Sequence, residues 1–195
     1  MPSLFDMVSA HLDDNALNQL STRLGADPGT TSKGIATAIP VLLGALAQNA
    51  QHPTGAQQLN DALARDHDGS ALNDVPGTIR NQPIDDGNAI LGHVLGDRRG
   101  MVEQAVARAS GLDLSKAGPL LAMLAPLVMG SLGRLKQQGG LGPDALARVL
   151  GSERDALNAA APGAMGMVTR LLDRDHDGSV LDDVGQMLGG LFGKR

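Results

Sequence analysis

The sequence has almost no aromatic residues and no cysteine. Phe5 and Phe192 are its two aromatic side chains, and Trp, Tyr and Cys are absent from the 195 residues. Without cysteine the chain can form no disulfide, thiolate nucleophile or iron–sulfur cluster. Two phenylalanines offer few of the rings on which single-stranded nucleic acids stack, and the Trp and Tyr that are enriched at protein contacts are missing. With 42% hydrophobic residues, the core must be filled by Leu, Ala, Val, Ile and Met.

Basic residues are also in deficit. The formal net charge is −5 at pH 7 and the isoelectric point is near 5.4. This balance argues against a broad phosphate-binding surface, and so against nucleic acid as the partner. The N-terminal residues lack the basic region and the long apolar run of a secretory signal. The sequence therefore predicts a cytoplasmic protein.

The sequence contains no alternating run of β-branched residues, so it predicts no strand. The spacing of its apolar residues predicts helices instead. Residues 117–133 carry no charge, and a helix that is apolar on every side is buried. A similar stretch runs from Gly34 to Leu46, in which Pro40 aligns with Pro126 at an offset of 86 residues. We expect two buried helical rods, each kinked at its proline. They form the centre of an all-α multihelical bundle with two internally related halves.

The uncharged run of the second rod is shorter than a typical membrane-spanning helix. It is 17 residues long and contains Pro119, Pro126 and several glycines, whereas a spanning helix needs roughly 20 apolar residues. We therefore interpret both rods as core helices.

Helix-start and helix-stop residues divide the rest of the chain. Ser3 and Asp6 predict a capping box for the first helix, and the first rod is expected from Lys33 to Gln51 after a cap at residues 30–32. Residues 76–87 hold two Pro, two Gly and two Asp, a composition that predicts the longest exposed loop. We expect a single domain over residues 1–195, with halves of about 1–80 and 88–195 joined by this loop.

Two internal repeats indicate a duplicated helical unit. The Gly-x-Asp at residues 25–27 recurs at 111–113, at the same offset of 86 as the prolines. Residues 65–75 match residues 174–184 at nine of eleven positions, at an offset of 109. The difference of 23 residues predicts an insertion in the second half, around residues 139–162.

Residues 173–183, which we call the second Asp-rich loop, have the ligand spacing of a calcium loop. Oxygen ligands at positions 1, 3 and 5, a glycine at 6 and a carbonyl at 7 suit Ca²⁺. Val184 stands where an EF-hand has its last acid, so that ligand must come from a neighbour. The candidate metal ligands are Asp173, Asp175, Asp177, Ser179, Asp182 and Asp183.

The first Asp-rich loop (residues 66–74) predicts a weaker site, because Ala64 replaces the first acid. Its candidate ligands are Asp66, Asp68, Ser70 and Asp74. The alternative for both loops is a helix-capping turn, in which Ser70 or Ser179 caps the next helix and residue 73 or 182 completes the capping box. Ca²⁺ is thus the one candidate cofactor.

Other chemistry-bearing patterns are missing or have a structural explanation. His67 and His176 hold the same place in the two loops and are expected to be exposed, whereas His93 is expected to be buried and hydrogen-bonded. There is no G-x-S-x-G, P-loop or dinucleotide motif. The small residues 130–133 are expected to permit close helix contact.

Four segments resemble a known family. They are S-L-F-D-M-V at the start, G-x-x-I-L-G-H-V-L-G at residues 87–96, L-A-P-L-V-M-G-S-L-G-R at 124–134 and D-x-D-H-D-G-S-x-L-D-D at 173–183. Together they resemble the bacterial YidB-like family, a domain of unknown function. The resemblance spans most of the chain and implies a bacterial origin and a multihelical fold. It implies no activity and no catalytic residue.

The missing catalytic patterns and the apolar rods favour a non-enzymatic protein that acts by binding a protein partner or by self-association. Two alternatives stay open. One is a metal-dependent hydrolase that uses the Asp-rich loops, and the other is a nucleic-acid-binding helical protein.

Overall fold

A computed structural model describes residues 3–160, and this part of the chain is helical without a β-strand. The prediction of an all-α multihelical fold is confirmed. Short 3-10 turns lie at Ser70–Leu72 and Gly96–Arg98. The α-helices are α1 (Leu4–Ser9), α2 (Asp14–Leu24), α3 (Pro28–Ala50), α4 (Pro53–Arg65), α5 (Val75–Asn81), α6 (Ile84–Leu95), α7 (Arg99–Ser110), α8 (Leu114–Gly139) and α9 (Pro143–Ala160).

The two predicted rods are α3 and α8, and they form the centre of the fold. α3 contacts α9, α7, α8 and α4, while α8 contacts α6, α3, α7 and the first 3-10 turn. Pro40 and Pro126 lie inside these helices and are buried; a kink at either residue stays a prediction. Leu120, Leu121 and Leu124 of α8 are fully buried, and each such side chain contributes about 1.5–3 kcal/mol to folding.

Length and composition do not separate these rods from membrane helices. Both α3 and α8 are long and apolar enough to cross a membrane, because the helical part of α8 extends well beyond its uncharged run. Burial does separate them, since the most apolar 18-residue windows of α3 and α8 are 67% and 83% buried inside the fold. This burial agrees with the interpretation of both rods as core helices.

The helix starts follow local capping chemistry. Ser3 Oγ accepts a hydrogen bond from the Asp6 amide at 3.0 Å, and Asp6 accepts one from the Ser3 amide, so the predicted capping box is confirmed. The predicted start of the first rod at Lys33 is wrong. α3 begins at Pro28, because Asp27 caps it by accepting from the Thr30 amide and proline is well tolerated in a first turn.

The prediction of an exposed loop over residues 76–87 is also wrong. Residues 76–81 belong to α5 and residues 84–87 to α6. Pro76 lies in the first turn of α5, and Pro83 directly precedes α6, so both prolines begin helices instead of interrupting them. Gly87 is buried so closely against α8 that a Cβ there would overlap the carbonyl oxygen of Ala122. The segment that was predicted to be a joining loop is therefore a packed part of the fold.

The first and last described helices are tied together by a buried carboxylate. Glu153 of α9 is only 8% exposed, and its Oε1 accepts a hydrogen bond from the Phe5 amide of α1 at 2.9 Å. A carboxylate at a helix N-terminus satisfies a backbone donor that the helix itself leaves unpaired. Within residues 3–160, every buried side-chain nitrogen and oxygen has a hydrogen-bond partner.

Candidate functional site

The first Asp-rich loop joins α4 to α5, and two of its carboxylates bind near neighbours. Asp66 forms an ion pair with Arg65 at 2.7 Å, and Asp68 Oδ1 accepts a hydrogen bond from the Ser70 amide at 2.9 Å. Hydrogen bonds from Arg65 hold the pKa of Asp66 below its ordinary value, and hydrogen bonds from Ser70 do the same to the pKa of Asp68. These carboxylates are therefore already engaged in the local fold.

The third carboxylate of the loop caps a helix. Asp74 is the N-cap of α5, and its Oδ1 accepts from the Gly77 amide at 2.9 Å. The predicted capping box of Ser70 with Asn73 is wrong, since Ser70 begins a 3-10 turn without a side-chain cap. In residues 3–160 no three His, Asp or Glu side chains form a group that could hold a metal ion.

Removing the Asp74 carboxylate should destabilise the protein. We expect Asp74→Ala to lower the free energy of unfolding by about 1 kcal/mol, the usual effect of losing an N-cap. Ser70→Ala is the matched control and should cost less, because the Ser70 amide keeps its bond to Asp68. Urea unfolding followed by far-UV circular dichroism measures both, and equal losses would contradict the assignment of the cap.

The loop is bound to α8 by Arg134. Its Nη2 donates to the Gly69 carbonyl at 3.1 Å and to Asn73 Oδ1 at 2.8 Å. Gly69 has a φ of 93°, which non-glycine residues rarely adopt. Gly133 lies directly under the His67 carbonyl, with no room for a Cβ. The small residues 130–133 thus permit close contact as predicted, but their close partner is the loop and not another helix.

Ser131 lies in residues 130–133 of α8, and its hydroxyl shows no sign of nucleophilic chemistry. It is fully buried, and its Oγ donates to the Leu127 carbonyl of its own helix at 3.0 Å. A buried serine in a helix commonly satisfies its hydroxyl in this way. Its role here is packing.

A groove of about 800 Å³ lies next to the loop. We call the lining faces of α4 and α6 its walls and the lining residues of α3 and α8 its floor. The apolar side chains among its lining residues include Leu46, Leu59, Ile90, Val94, Pro126 and Met129, and the polar ones include Asn49, Gln58, Arg65, Asp66, His67, Asp68, Gln82, Asp86 and His93. The groove therefore combines apolar and polar surface, the composition of a binding site.

Two histidines of the groove differ from their predicted burial. His67, predicted to be exposed, is half-buried because its loop packs onto α8. Burial lowers the pKa of His67, and the carboxylates of Asp66 and Asp86 oppose this shift only in part. His93, predicted to be buried, is exposed, because the apolar positions Leu91, Val94 and Leu95 of α6 face the core instead.

The lowered pKa of His67 should make the fold sensitive to mild acid. His67 takes up a proton near pH 6.5 in the unfolded chain, whereas His67 in the folded protein stays neutral until a lower pH. The contribution of His67 to stability should therefore be complete above about pH 6.5 and be lost as the pH falls through the pKa of His67 in the folded protein. We expect His67→Gln to reduce the loss of melting temperature between about pH 7.5 and 5.5. The exposed His93→Gln is the control, and equal pH slopes for wild type and His67→Gln would contradict this prediction.

The stronger of the two predicted metal sites lies outside the described residues. All six candidate ligands, Asp173, Asp175, Asp177, Ser179, Asp182 and Asp183, belong to residues 161–195, as does His176. Calcium binding there stays a prediction.

Calcium should raise the melting temperature if the second Asp-rich loop binds it, because a ligand of the folded state alone stabilises that state. The gain should approach about 2.7 kcal/mol when calcium is 100-fold above its Kd. Asp175→Ala should abolish the gain, and Asp66→Ala should leave most of it. An unchanged melting curve at millimolar calcium would mean that the second loop is a capping turn.

Sequence reasoning missed the groove and the contacts of Arg134. The groove residues come from positions 46 to 130, and no local pattern indicates that they meet. Arg134 gave one signal, since it is the first charge after the long apolar run.

Comparison with known proteins gives a family but no characterised relative. A family model described as bacterial protein of unknown function (DUF937) matches residues 6–135 and 153–195. Neither the curated proteins nor the solved structures give a match. Residues 136–152, between the two matched segments, include the end of α8 and the beginning of α9.

Proposed function

Because this chain belongs to the bacterial family of unknown function DUF937, which brings no activity with it, we propose its function from the groove. The protein is a non-enzymatic binding protein, and its groove takes up an amphipathic helix of a partner protein. The observation that carries this proposal is the lining of the groove, to which one face of α4 and one face of α6 contribute stretches of similar length.

The groove walls have the length of a short helix. α4 contributes Gly55, Gln58, Leu59, Ala62 and Arg65, and α6 contributes Asp86, Ala89, Ile90, His93 and Val94. Both sets follow the spacing of one helix face. Each wall covers about ten residues, or roughly 15 Å at 1.5 Å per residue. A groove of this length with an apolar floor suits a partner helix that inserts apolar side chains three and four residues apart.

The charges of the groove indicate which helix it would accept. Asp66, Asp68 and Asp86 line it with one basic residue, Arg65, so three negative charges face one positive charge. Complementary potentials favour a partner whose apolar face is flanked by Lys or Arg. The same balance disfavours a phosphate backbone, which supports a protein partner over nucleic acid.

A model peptide tests the groove directly. We expect a Leu–Lys amphipathic helix to bind the wild type and Ala109→Trp, but to bind Ala89→Trp at least tenfold more weakly. Both alanines are exposed and helical, and only Ala89 lines the groove. A Leu–Glu peptide of the same pattern should bind none of the variants. Equal binding of the Leu–Lys peptide to both Trp variants would overturn the proposal.

An activity screen tests the enzymatic alternative. Purified protein with added divalent metals is assayed on generic phosphoester and ester substrates. Metal-dependent turnover that disappears in Asp175→Ala and Asp177→Ala would replace the binding proposal by a hydrolase that uses the second Asp-rich loop. The proposal expects no such turnover.

Self-association is the second form of this proposal. Met101 and Leu114 are the large apolar side chains that are about half exposed in the described part of the chain. Light scattering after size exclusion should give a mass above 20.0 kDa for the wild type, and a lower mass for the Met101→Ser, Leu114→Ser variant. A monomeric wild type would leave the groove as the sole binding surface of the proposal.

We also propose a cytoplasmic location. The burial of α3 and α8 within the fold supports it, because a helix that packs on other helices on most sides has little surface for lipid. Cell fractionation tests the location, and recovery in the membrane fraction after a high-salt wash would overturn it.

A further inference from the structure

The carboxylates of the groove lie together at one of its ends. Asp66 and Asp68 come directly after α4, and Asp86 lies in the first turn of α6. All three line the groove, and all three act on the imidazole of His67. Burial lowers the pKa of His67, and each of the three carboxylates opposes this shift. We call this part of the groove the acidic end.

The opposite end of the groove is built around Asn49 of α3. The Asn49 side-chain amide donates to the carbonyl of His93, in the last turn of α6, at 3.3 Å. Gly55, in the first turn of α4, lies so close to Asn49 that a Cβ there would overlap the Asn49 carbonyl oxygen. Within the described residues, the lining of this Asn49 end contains no Asp, Glu, Lys or Arg.

α4 and α6 therefore run in opposite directions along the groove. α4 ends and α6 begins at the acidic end, whereas α4 begins and α6 ends at the Asn49 end. The partial charges of these two helix dipoles thus oppose each other at both ends. α3 also ends beside Asn49, at Ala50, and adds about half a negative charge there. The three carboxylates outweigh this half-charge even though Arg65 offsets one of them, so the potential is more negative at the acidic end.

We propose that the groove binds its partner helix in one orientation, with the N-terminus of that helix and its basic residues at the acidic end. This inference rests on the proposed uptake of an amphipathic helix, and it adds the direction of the partner and the position of its charges. The N-terminus of a helix carries about half a positive charge, which is favoured beside carboxylates. Lys or Arg in the N-terminal turns adds full charges of the same sign.

The position of the basic residues matters because the groove is longer than the range of a screened charge. Its walls extend over roughly 15 Å, whereas the Debye length is about 8 Å at physiological ionic strength. A Lys of the partner at the Asn49 end is therefore largely screened from Asp66, Asp68 and Asp86. The apolar floor binds the partner along its whole length, and the carboxylates select its direction.

Two Leu–Lys peptides of identical composition test the orientation on the full chain. Both have about 18 residues, enough to form a helix in water, and both are acetylated and amidated, which removes the terminal charges. One peptide carries its Lys residues in the N-terminal half and the other in the C-terminal half, with Gln at the remaining polar positions. Isothermal titration calorimetry measures both affinities.

A charge variant corrects for the different helicity of the free peptides, because Lys near a helix N-terminus opposes the dipole. The variant combines Asp66→Asn, Asp68→Asn and Asp86→Asn. We expect the affinity ratio of the N-terminal-Lys peptide to the C-terminal-Lys peptide to be about fivefold higher for the wild type than for this variant. Asp85→Asn is the matched control, since Asp85 is exposed beside Asp86 but does not line the groove, and it should keep the wild-type ratio.

The possible outcomes separate this inference from the binding proposal. Equal ratios for the wild type and the triple variant would overturn the orientation, while binding of both peptides would leave the groove as a binding site. A wild type that binds neither peptide would overturn the binding proposal and the orientation together.

Spin labels at the two ends of the groove report the direction of the bound peptide. The protein has no cysteine of its own, so Asn81→Cys near the acidic end and Gln51→Cys near the Asn49 end each take a single nitroxide. Both positions are exposed and neither lines the groove. The label at residue 81 should broaden the amide signals of the N-terminal half of the N-terminal-Lys peptide, and the label at residue 51 those of its C-terminal half. The reverse pattern, or equal broadening of both halves, would overturn the proposal.

Discussion

Replacing Gly87 by alanine is expected to lower the free energy of unfolding by about 3 kcal/mol, at the upper end of the usual cost of overpacking. Gly87 lies where α6 crosses α8, and an added Cβ would overlap the carbonyl oxygen of Ala122. A backbone atom in the middle of a buried helix cannot move aside alone. The two helices must separate, and their contact is among the most extensive in the fold.

A second glycine in the same helix provides the control. Gly92 is exposed, and a Cβ there would meet no atom within 4 Å. Gly92→Ala should therefore stabilise the protein by about 0.5–1 kcal/mol, since alanine favours the helix over glycine. Urea unfolding followed by far-UV circular dichroism suits both variants, because the chain has no Trp or Tyr to report by fluorescence. Similar unfolding midpoints for the two variants would refute the close contact of α6 and α8.

Replacing Gly133 by alanine should cost about as much, roughly 3 kcal/mol, but should act at a different place. The new Cβ would overlap the His67 carbonyl oxygen, so the first Asp-rich loop must lift from α8. Arg134 would then lose its bonds to Gly69 and Asn73. We expect faster amide exchange over residues 67–73 as well as a lower unfolding midpoint.

Gly130→Ala is the matched control on the same face of α8, one turn earlier. Its Cβ would lie 3.6 Å from Leu72 Cγ and 3.7 Å from Ala71 Cβ, which are ordinary contact distances. It should be neutral or slightly stabilising, by up to about 0.5 kcal/mol from helix propensity. A large loss from Gly130→Ala and a small one from Gly133→Ala would mean that the loop contacts α8 in another register.

The central part of the fold could be predicted because its signal is local. A helix that is apolar on every side is removed from water, so the sequence predicts both rods. Only their burial inside the fold separates them from membrane helices. The prediction of a loop over residues 76–87 is wrong because it treats their Pro and Gly residues as helix breakers. The local order, with Asp74 as a cap and Pro76 in the first turn, is a helix-start pattern. The position of each proline relative to its cap matters more than the number of prolines.

The groove could not be predicted, because its residues are brought together by the packing of helices that are distant in sequence. The burial of His67 depends on Gly133, which is 66 positions away and which lets the loop approach α8. The exposure of His93 depends on which face of α6 meets α8. Sequence spacing shows which residues share a face of a helix, but not which neighbour that face will meet.

The order in which α3 and its packing partners occur in the chain also affects how the protein is made. α3 is complete at Ala50, yet α7, α8 and α9, which contact much of its surface, lie after residue 98. At 5–20 residues per second, the ribosome needs roughly 5–20 s to add the 110 residues from Ala50 to Ala160. During that time the apolar helix α3 has been synthesised, but the helices that pack on it have not. We therefore expect nascent chains of this protein to depend on a ribosome-associated chaperone, and expression to fall when that chaperone is depleted.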